Sequence, residues 1–407
     1  MVSMLGTMIR TVAGIRQTTA ILWRGGRGWI LLSISAGWFL SIGVRLVYPA
    51  LAPFIQEDFG IGFGTTGLLL TLLWGAYALG HIPGGILGDR LGEGHLLVSS
   101  TVIAGITILG VALSINVLML FLATIAFGFA TALFGPMRFT VFTDIYEERA
   151  GSAIGVTMAA GSAGNALLPI AATAIASAIA WRYSFAIFVI PFILVALALC
   201  LFVPARTSNA TRAVDEFTWG TIKRIQAGIS SGTIPAVVAV QASFSFVFQG
   251  FTGFYPLYLV EAKELSPSIA STLFGLFFAA SFIIQPLAGI SMDRFGTRPS
   301  LIATLGVSVA ALWVLPFIQG QIPIITLTIV LSILNGCAVI TQTHIADALP
   351  AEMKGTGLGT LKAGWMTLGT TSPVIIGVLG DFGHLNYGFL VLAGIGTVGV
   401  LIATFKL

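Results

Sequence analysis

Charge is what this chain has least of. Only 8% of its 407 residues are Asp, Glu, Lys or Arg, while 57% are hydrophobic, and the mean hydropathy is +1.00. Water-soluble proteins carry about 25% charged residues, so a soluble globule is excluded. Lipid is the remaining solvent, and it admits only helices or closed barrels, in which every backbone amide is paired. Barrel strands alternate over about ten residues, whereas the apolar runs here continue for about twenty. The fold class is all-α integral membrane.

Cysteine is nearly absent as well. Cys200 and Cys337 both fall in apolar runs, which indicates neither a disulfide framework nor a metal site. HExxH, a phosphate loop and clustered His/Cys ligands are missing too, so no enzyme and no cofactor are expected. The first residues lack the apolar core and small-residue cleavage site of a secretory signal. Residues 1–27 carry dispersed Arg10, Arg16, Arg24 and Arg27 instead, as a cytoplasmic tail would.

What is present is hydrophobic length. Twelve spans are predicted near 28–52, 64–88, 96–115, 117–143, 152–177, 182–203, 234–259, 268–291, 300–318, 323–346, 356–379 and 386–405. The longest polar segment separates an N-terminal six-helix bundle at 28–203 from a C-terminal one at 234–407. That segment, 204–233, reads as a cytoplasmic linker, and its DEFTWGTIKRIQ stretch as a surface helix. With the N-terminus inside, fourteen of the nineteen lysines and arginines lie in inside segments. Two (Arg182 and Lys263) lie in outside loops and three lie within spans. A multi-pass protein of the cytoplasmic membrane with both termini cytoplasmic is expected. The placement of charge accounts for the net +4 without any nucleic-acid partner.

One stretch occurs twice. GILGDRLG, Gly85 to Gly92, returns 204 positions later as GISMDRFG, Gly289 to Gly296. The offset aligns Gly85/Gly289, Asp89/Asp293, Arg90/Arg294 and Gly92/Gly296, and also Pro169/Pro373 and Tyr183/Tyr387. Two copies of one hydrophobic unit are the pattern of a transporter built from repeats.

Six plus six spans, a basic central loop and the doubled Gly-x-x-x-Asp-Arg-x-Gly resemble the major facilitator superfamily over essentially the whole chain. The resemblance implies two pseudo-symmetric bundles and a cytoplasmic latch. Asp89 would face the start of span eleven near Gly355, and Asp293 the start of span five near Gly151. Arg90 would pair with Asp144, and Arg294 with Asp347, when the cavity faces outward. A carboxylate at a helix N-terminus gains about 0.3–1 kcal/mol, and bare Gly85 and Gly289 let a neighbouring helix approach.

The three cations within spans are Arg45, Arg138 and Lys362. Each costs about 2.5–3.5 kcal/mol at mid-membrane, and no span interior holds an Asp or Glu to offset it. An anionic substrate is the natural missing partner. RLVYPALAPFIQEDFG from Arg45 and RFTVFTDIYEER from Arg138 resemble segments of the organic-anion branch, the anion:cation symporters. That resemblance implies that Arg45 and Arg138 line the substrate site; Val44 stands where the branch often has an acidic residue. Lys362 rests on burial alone. It lies about seven residues into its span, close enough to the end to snorkel to the surface instead.

His81 and His344 are the span residues that titrate near neutral pH and are the candidates for proton coupling; each also suits a neutral ring hydrogen-bonded between helices. Trp74, Tyr77 and His81 fall on one helical stripe, consistent with a cavity wall. Gln241, Gln249, Tyr255 and Gln342 are further candidates for substrate hydrogen bonds. The expected function is a secondary transporter that moves a small organic or inorganic anion by alternating access, as a monomer in the bilayer. A co-transported proton or sodium ion is compatible with the sequence, as are exchange and uniport. Two other readings are a proton-driven multidrug or metabolite exporter and a non-transporting receptor or scaffold. Span five lacks the glycines that flank the proline in the family's antiporter motif: Leu168 precedes Pro169 and Ile170 follows.

Overall fold

A computed structural model describes residues 22–207, 233–348 and 354–407, less the side chains of Arg24, Ile82, Asp89 and residues 354–360. Most of the predicted tail and of the 204–233 linker, with its surface helix, lies outside the described residues. Twelve helices are long and apolar enough to cross a membrane. They are α1 (Arg27–Phe59), α2 (Phe63–Leu91), α3 (Glu93–Ala112), α4 (Val117–Ile145), α5 (Ala150–Ala178), α6 (Trp181–Phe202), α7 (Ile234–Glu261), α8 (Pro267–Phe295), α9 (Thr297–Phe317), α10 (Gln321–Ala348), α11 (Lys354–Thr370 and Ser372–Asp381) and α12 (Leu385–Lys406). Each overlaps its predicted span.

The main departures are in length and continuity. Helix α1 runs on through Pro49 and Pro53 to Phe59, past the predicted end at 52. Its 33 residues reach about 50 Å, more than the roughly 30 Å hydrocarbon core. Helix α11 breaks at Thr371, two residues before Pro373, which has no N–H to give to the preceding turn. Helix α8 breaks at Ala280 and α10 passes through a 3₁₀ turn at Ser332–Leu334. Asn335 Nδ2 serves both breaks by donating to Phe277 O (3.4 Å) and Ser332 O (3.0 Å). Hydropathy does not register such breaks, because the broken turns remain apolar.

Helices α1 to α6 pack chiefly on one another, as do α7 to α12. Between the two sets the main contacts are α2 with the second half of α11, α5 with the first half of α8, and α1 with α7. The first two pairings are equivalent under a shift of six helices. They lie at the end bearing the α1–α2 and α11–α12 turns, here called the far end. Two glycines make the approach there possible. A Cβ on Gly67 would sit 2.4 Å from Pro373 O, and one on Gly377 2.3 Å from Phe63 O. Asp381 adds a polar tie, its carboxylate accepting from Gly64 N at 3.0 Å at the start of α2.

The far-end loops of the first set are tied by Arg182. It pairs with Asp58 (2.5 Å) and donates to Ser114 O (3.0 Å). Lys263 does the same for the second set, donating to Pro316 O and Ile318 O (2.9 and 2.7 Å), and its burial lowers its pKa. The two cations assigned to outside loops are therefore both spent on local loop anchoring.

The opposite end carries the doubled motif. Gly92 and Gly296 turn the chain there with φ of 93° and 85°, which L side chains rarely adopt. Cβ atoms on Gly85, Gly289, Gly151 and Gly155 would meet nothing within 4 Å. Among the described residues these glycines make no close approach to the other set, unlike Gly67 and Gly377 at the far end.

Candidate functional site

The site is built on α1, α2 and α4. Trp38, Ser41 and Arg45 recur at i, i+3 and i+7, so they share one face of α1. Helical side chains lean toward the N-terminus, and Arg45 accordingly donates from Nε to Ser41 O (3.0 Å). Its guanidinium then lies among three rings. The Cζ is 3.6 Å from the Tyr77 ring centroid, 5.1 Å from Trp74 and 5.8 Å from Trp38. Arg45 is 0% exposed.

Arg138 arrives from α4 and stacks on the same indole, with its Cζ 3.3 Å from the Trp38 centroid and 4.2 Å from Phe139. Its Nη2 reaches the Met158 sulfur at 3.7 Å, a weak acceptor. It is 4% exposed. Two guanidinium groups thus share Trp38. A desolvated cation over an aromatic face gains about 2 kcal/mol, which helps to hold these charges in an apolar setting. Stacking does not satisfy the N–H groups, which point out of the guanidinium edge. Both terminal nitrogens of Arg45 and the Nε of Arg138 are buried without a hydrogen-bond partner.

Lys362 joins them from α11. Its side chain is exposed, yet it interacts electrostatically with Tyr77, Arg138 and Arg45. Exposure together with that proximity means it faces a solvent-filled cleft between the two sets of helices. Among the described residues, the groups that act on the three cations are the aromatic rings, Ser41 O, the Met158 sulfur and one another, and no carboxylate is among them.

Of the other candidates, Tyr77 and His81 belong to this site. The two rings are 4.5 Å apart, edge to face. His81 Nδ1 bonds to Tyr77 O at 2.7 Å, and its Nε2 faces Gly135 on α4. Lys362, Arg45 and Arg138 all act on the ring electrostatically. Gln249 links α7 to α11, its Nε2 donating to Met366 O (3.2 Å) while its Oε1 is buried and unpaired.

His344 stands apart from this cluster. Its two ring nitrogens bond the hydroxyls of Thr297 (2.9 Å) and Thr233 (3.1 Å) at the motif end, so no contact brings it to the cations. Gln342 is exposed on α10, likewise without a contact to them. Tyr255 pairs with Thr328 inside the second set, and Gln241 accepts from Thr341; both belong to packing.

The latch residues lie at the motif end. Among the described residues the Arg90–Asp144 and Arg294–Asp347 pairs are absent. Asp144 accepts from Thr207 Oγ1 at 3.0 Å, and Asp293, Arg294 and Asp347 are exposed. The Asp89 side chain and that of Gly355's segment lie outside the described residues. Trp38 and Met158 were not singled out in the sequence. The seven-residue spacing of Trp38 from Arg45 was the available signal for one; Met158, twenty residues from Arg138 on another helix, had none.

A cavity of about 510 Å³ lies elsewhere, at the motif end. It is lined by Gly25, Arg27 and residues 144–149, which mix both signs of charge and do not include the aromatic-boxed arginines.

Sequence comparison gives relatives of similar length. A hexuronate transporter of Bacillus subtilis is 23% identical, over 84% of this chain and 85% of its own. A cis,cis-muconate transport protein of Acinetobacter baylyi is 22% identical, over 86% and 87%. A tetracenomycin C resistance and export protein of Streptomyces glaucescens is 24% identical, over 90% and 78%. Among solved structures, a bacterial homologue of the human lysosomal transporter Spinster, inward-facing and occupied, superposes with a TM-score of 0.78. Its identity is 16%, over 93% of this chain and 96% of that one. The Major Facilitator Superfamily model matches residues 34–270 and 237–407. With twelve spans in two equivalent sets and the doubled motif between paired helices, this chain belongs to the Major Facilitator Superfamily and resembles its organic-anion branch.

Proposed function

We propose that the protein carries a small organic anion across the cytoplasmic membrane by alternating access, with the motif end in the cytoplasm. The observation that carries this reading is the pair of buried arginines in which both terminal nitrogens of Arg45 and the Nε of Arg138 have no hydrogen-bond partner. A buried unpaired charged donor costs about 1–3 kcal/mol or more. An anion entering from the cleft relieves that cost and binds where it does so. Hexuronate and muconate, named for two relatives, are anions of this kind. Lys362 on α11 would draw the ligand toward the second bundle, so that binding pulls the two bundles together. His81 is the candidate proton carrier. The doubled motif would act as a latch that forms when the motif end closes; the open space beside the glycines at that end supports this reading.

The test is uptake into proteoliposomes. Arg45→Gln and Arg138→Gln are each expected to cut anion uptake at least tenfold while the protein still inserts and remains monodisperse. Uptake that survives both substitutions would refute the site. An exporter is the second reading, supported by the relative named for export. It predicts movement of neutral or cationic lipophiles that is indifferent to Arg45.

A further inference from the structure

We infer that the ligand is a dianion, one molecule with two anionic groups, and this rests on the anion reading above. The donors are too many for a single carboxylate. The terminal nitrogens of Arg45 present four N–H bonds and Arg138 Nε presents one more, all buried and unmatched. A carboxylate offers about four acceptor positions. Those five nearly saturate one carboxylate, which leaves the three N–H bonds of Lys362 for a second anionic group.

Charge points the same way. Three cations act on one another here, with no carboxylate among the groups that reach them in the described residues. A monoanion would leave two of the three positive charges uncompensated.

The layout separates the two demands. Arg45 and Arg138 flank Trp38 within the first bundle, whereas Lys362 stands on α11 of the second, on the exposed side of the cleft. One anionic group meets the unpaired N–H edges of the arginines and the other reaches toward Lys362. The rings of Trp74 and Tyr77 beside Arg45 wall the space between with apolar surface, which suits a short hydrocarbon frame.

The experiment is calorimetric titration of the purified protein in nanodiscs at fixed ionic strength. The probes are succinate, fumarate and terephthalate, each against its monomethyl ester. At least one dianion is expected to bind about tenfold or more tightly than its half-ester. Lys362→Gln should bring that ratio close to one, while Lys362→Arg retains the preference. Half-esters binding as tightly as every dianion would overturn the inference, as would a ratio that ignores Lys362→Gln. If half-esters bind through Arg45 and dianions do not, the dianion falls and the anion reading stands. If no anion in the set binds, both fall.

Discussion

An arginine can be kept charged inside an apolar helix bundle by a carboxylate, by carbonyls or by aromatic faces. Arg45 and Arg138 use chiefly the third, and this decides what their N–H edges are free to do. A carboxylate partner would have consumed those edges, whereas Trp38, Trp74 and Tyr77 leave them available. Trp38 is the shared element, and its loss should be felt by both guanidinium groups. A cation–π contact is worth about 0.5–2 kcal/mol, so Trp38→Ala should weaken anion binding by about tenfold. Trp38→Phe should recover most of that. Titration calorimetry checks both; equal affinity for all three proteins would remove Trp38 from the site.

His81 allows a second test at this scale. Its Nδ1 is fixed by Tyr77 O, which leaves Nε2, on the α4 side, to take the proton in the proposed coupling. His81→Gln is expected to abolish anion accumulation driven by a pH gradient while anion counterflow, which needs no net proton movement, continues. Gradient-driven accumulation that persists in His81→Gln would assign coupling to another group or another ion.

Among the elements, the far ends of α2 and α11 form the clearest device. Asp381 at the end of α11 accepts from Gly64 N at the start of α2, where the partial positive charge of the helix terminus favours a carboxylate. The arrangement is the reverse of the proposed motif-end latch, in which Asp89 at the end of α2 would face the start of α11. An exposed contact of this kind is worth about 0.3–1 kcal/mol. Asp381→Asn should therefore raise the population open at the far end about two- to fivefold. Distances between spin labels at positions 60 and 383 report it, and an unchanged distribution would show that Asp381 does not hold the closure. Helix packing supplies the rest, because the bare Cα atoms of Gly67 and Gly377 allow backbone-to-backbone approach.

For the whole molecule, the proposed alternating access requires the close far-end contacts between the two sets of helices to open and re-form. Gly67→Val puts methyl groups against Pro373 O, where a Cβ already approaches to 2.4 Å. It is expected to keep the far end from closing, which would preserve ligand binding but eliminate uptake. Full uptake by Gly67→Val would mean that the close approach is dispensable. The orientation is checked separately by cysteine labelling in intact cells. Position 116, in the α3–α4 turn, should react with an impermeant reagent added outside, whereas position 147, in the α4–α5 turn, should not.

Much of this was legible in the chain because membrane insertion is governed by local composition. Twenty apolar residues make a span wherever they occur, so all twelve helices could be placed. The doubled motif could be found because Gly92 and Gly296 serve the same reversal in each half. The cations at 45, 138 and 362 stood out because a charge is costly in hydrocarbon whatever its neighbours. What required the fold was adjacency. No local rule states that Arg45 and Arg138, 93 positions apart, would stack near one indole. Nor does one state that His344 would leave the group to bridge two threonines, or that Lys362 would face a solvated cleft. These depend on how helices from distant parts of the chain pack, which is set by surface shape and not by hydropathy. Sequence by itself determined that three cations fall within spans that hold no carboxylate, because composition is a property of each residue; only tertiary structure decided that aromatic faces hold the two arginines and leave N–H groups unpaired, because packing is a property of neighbours.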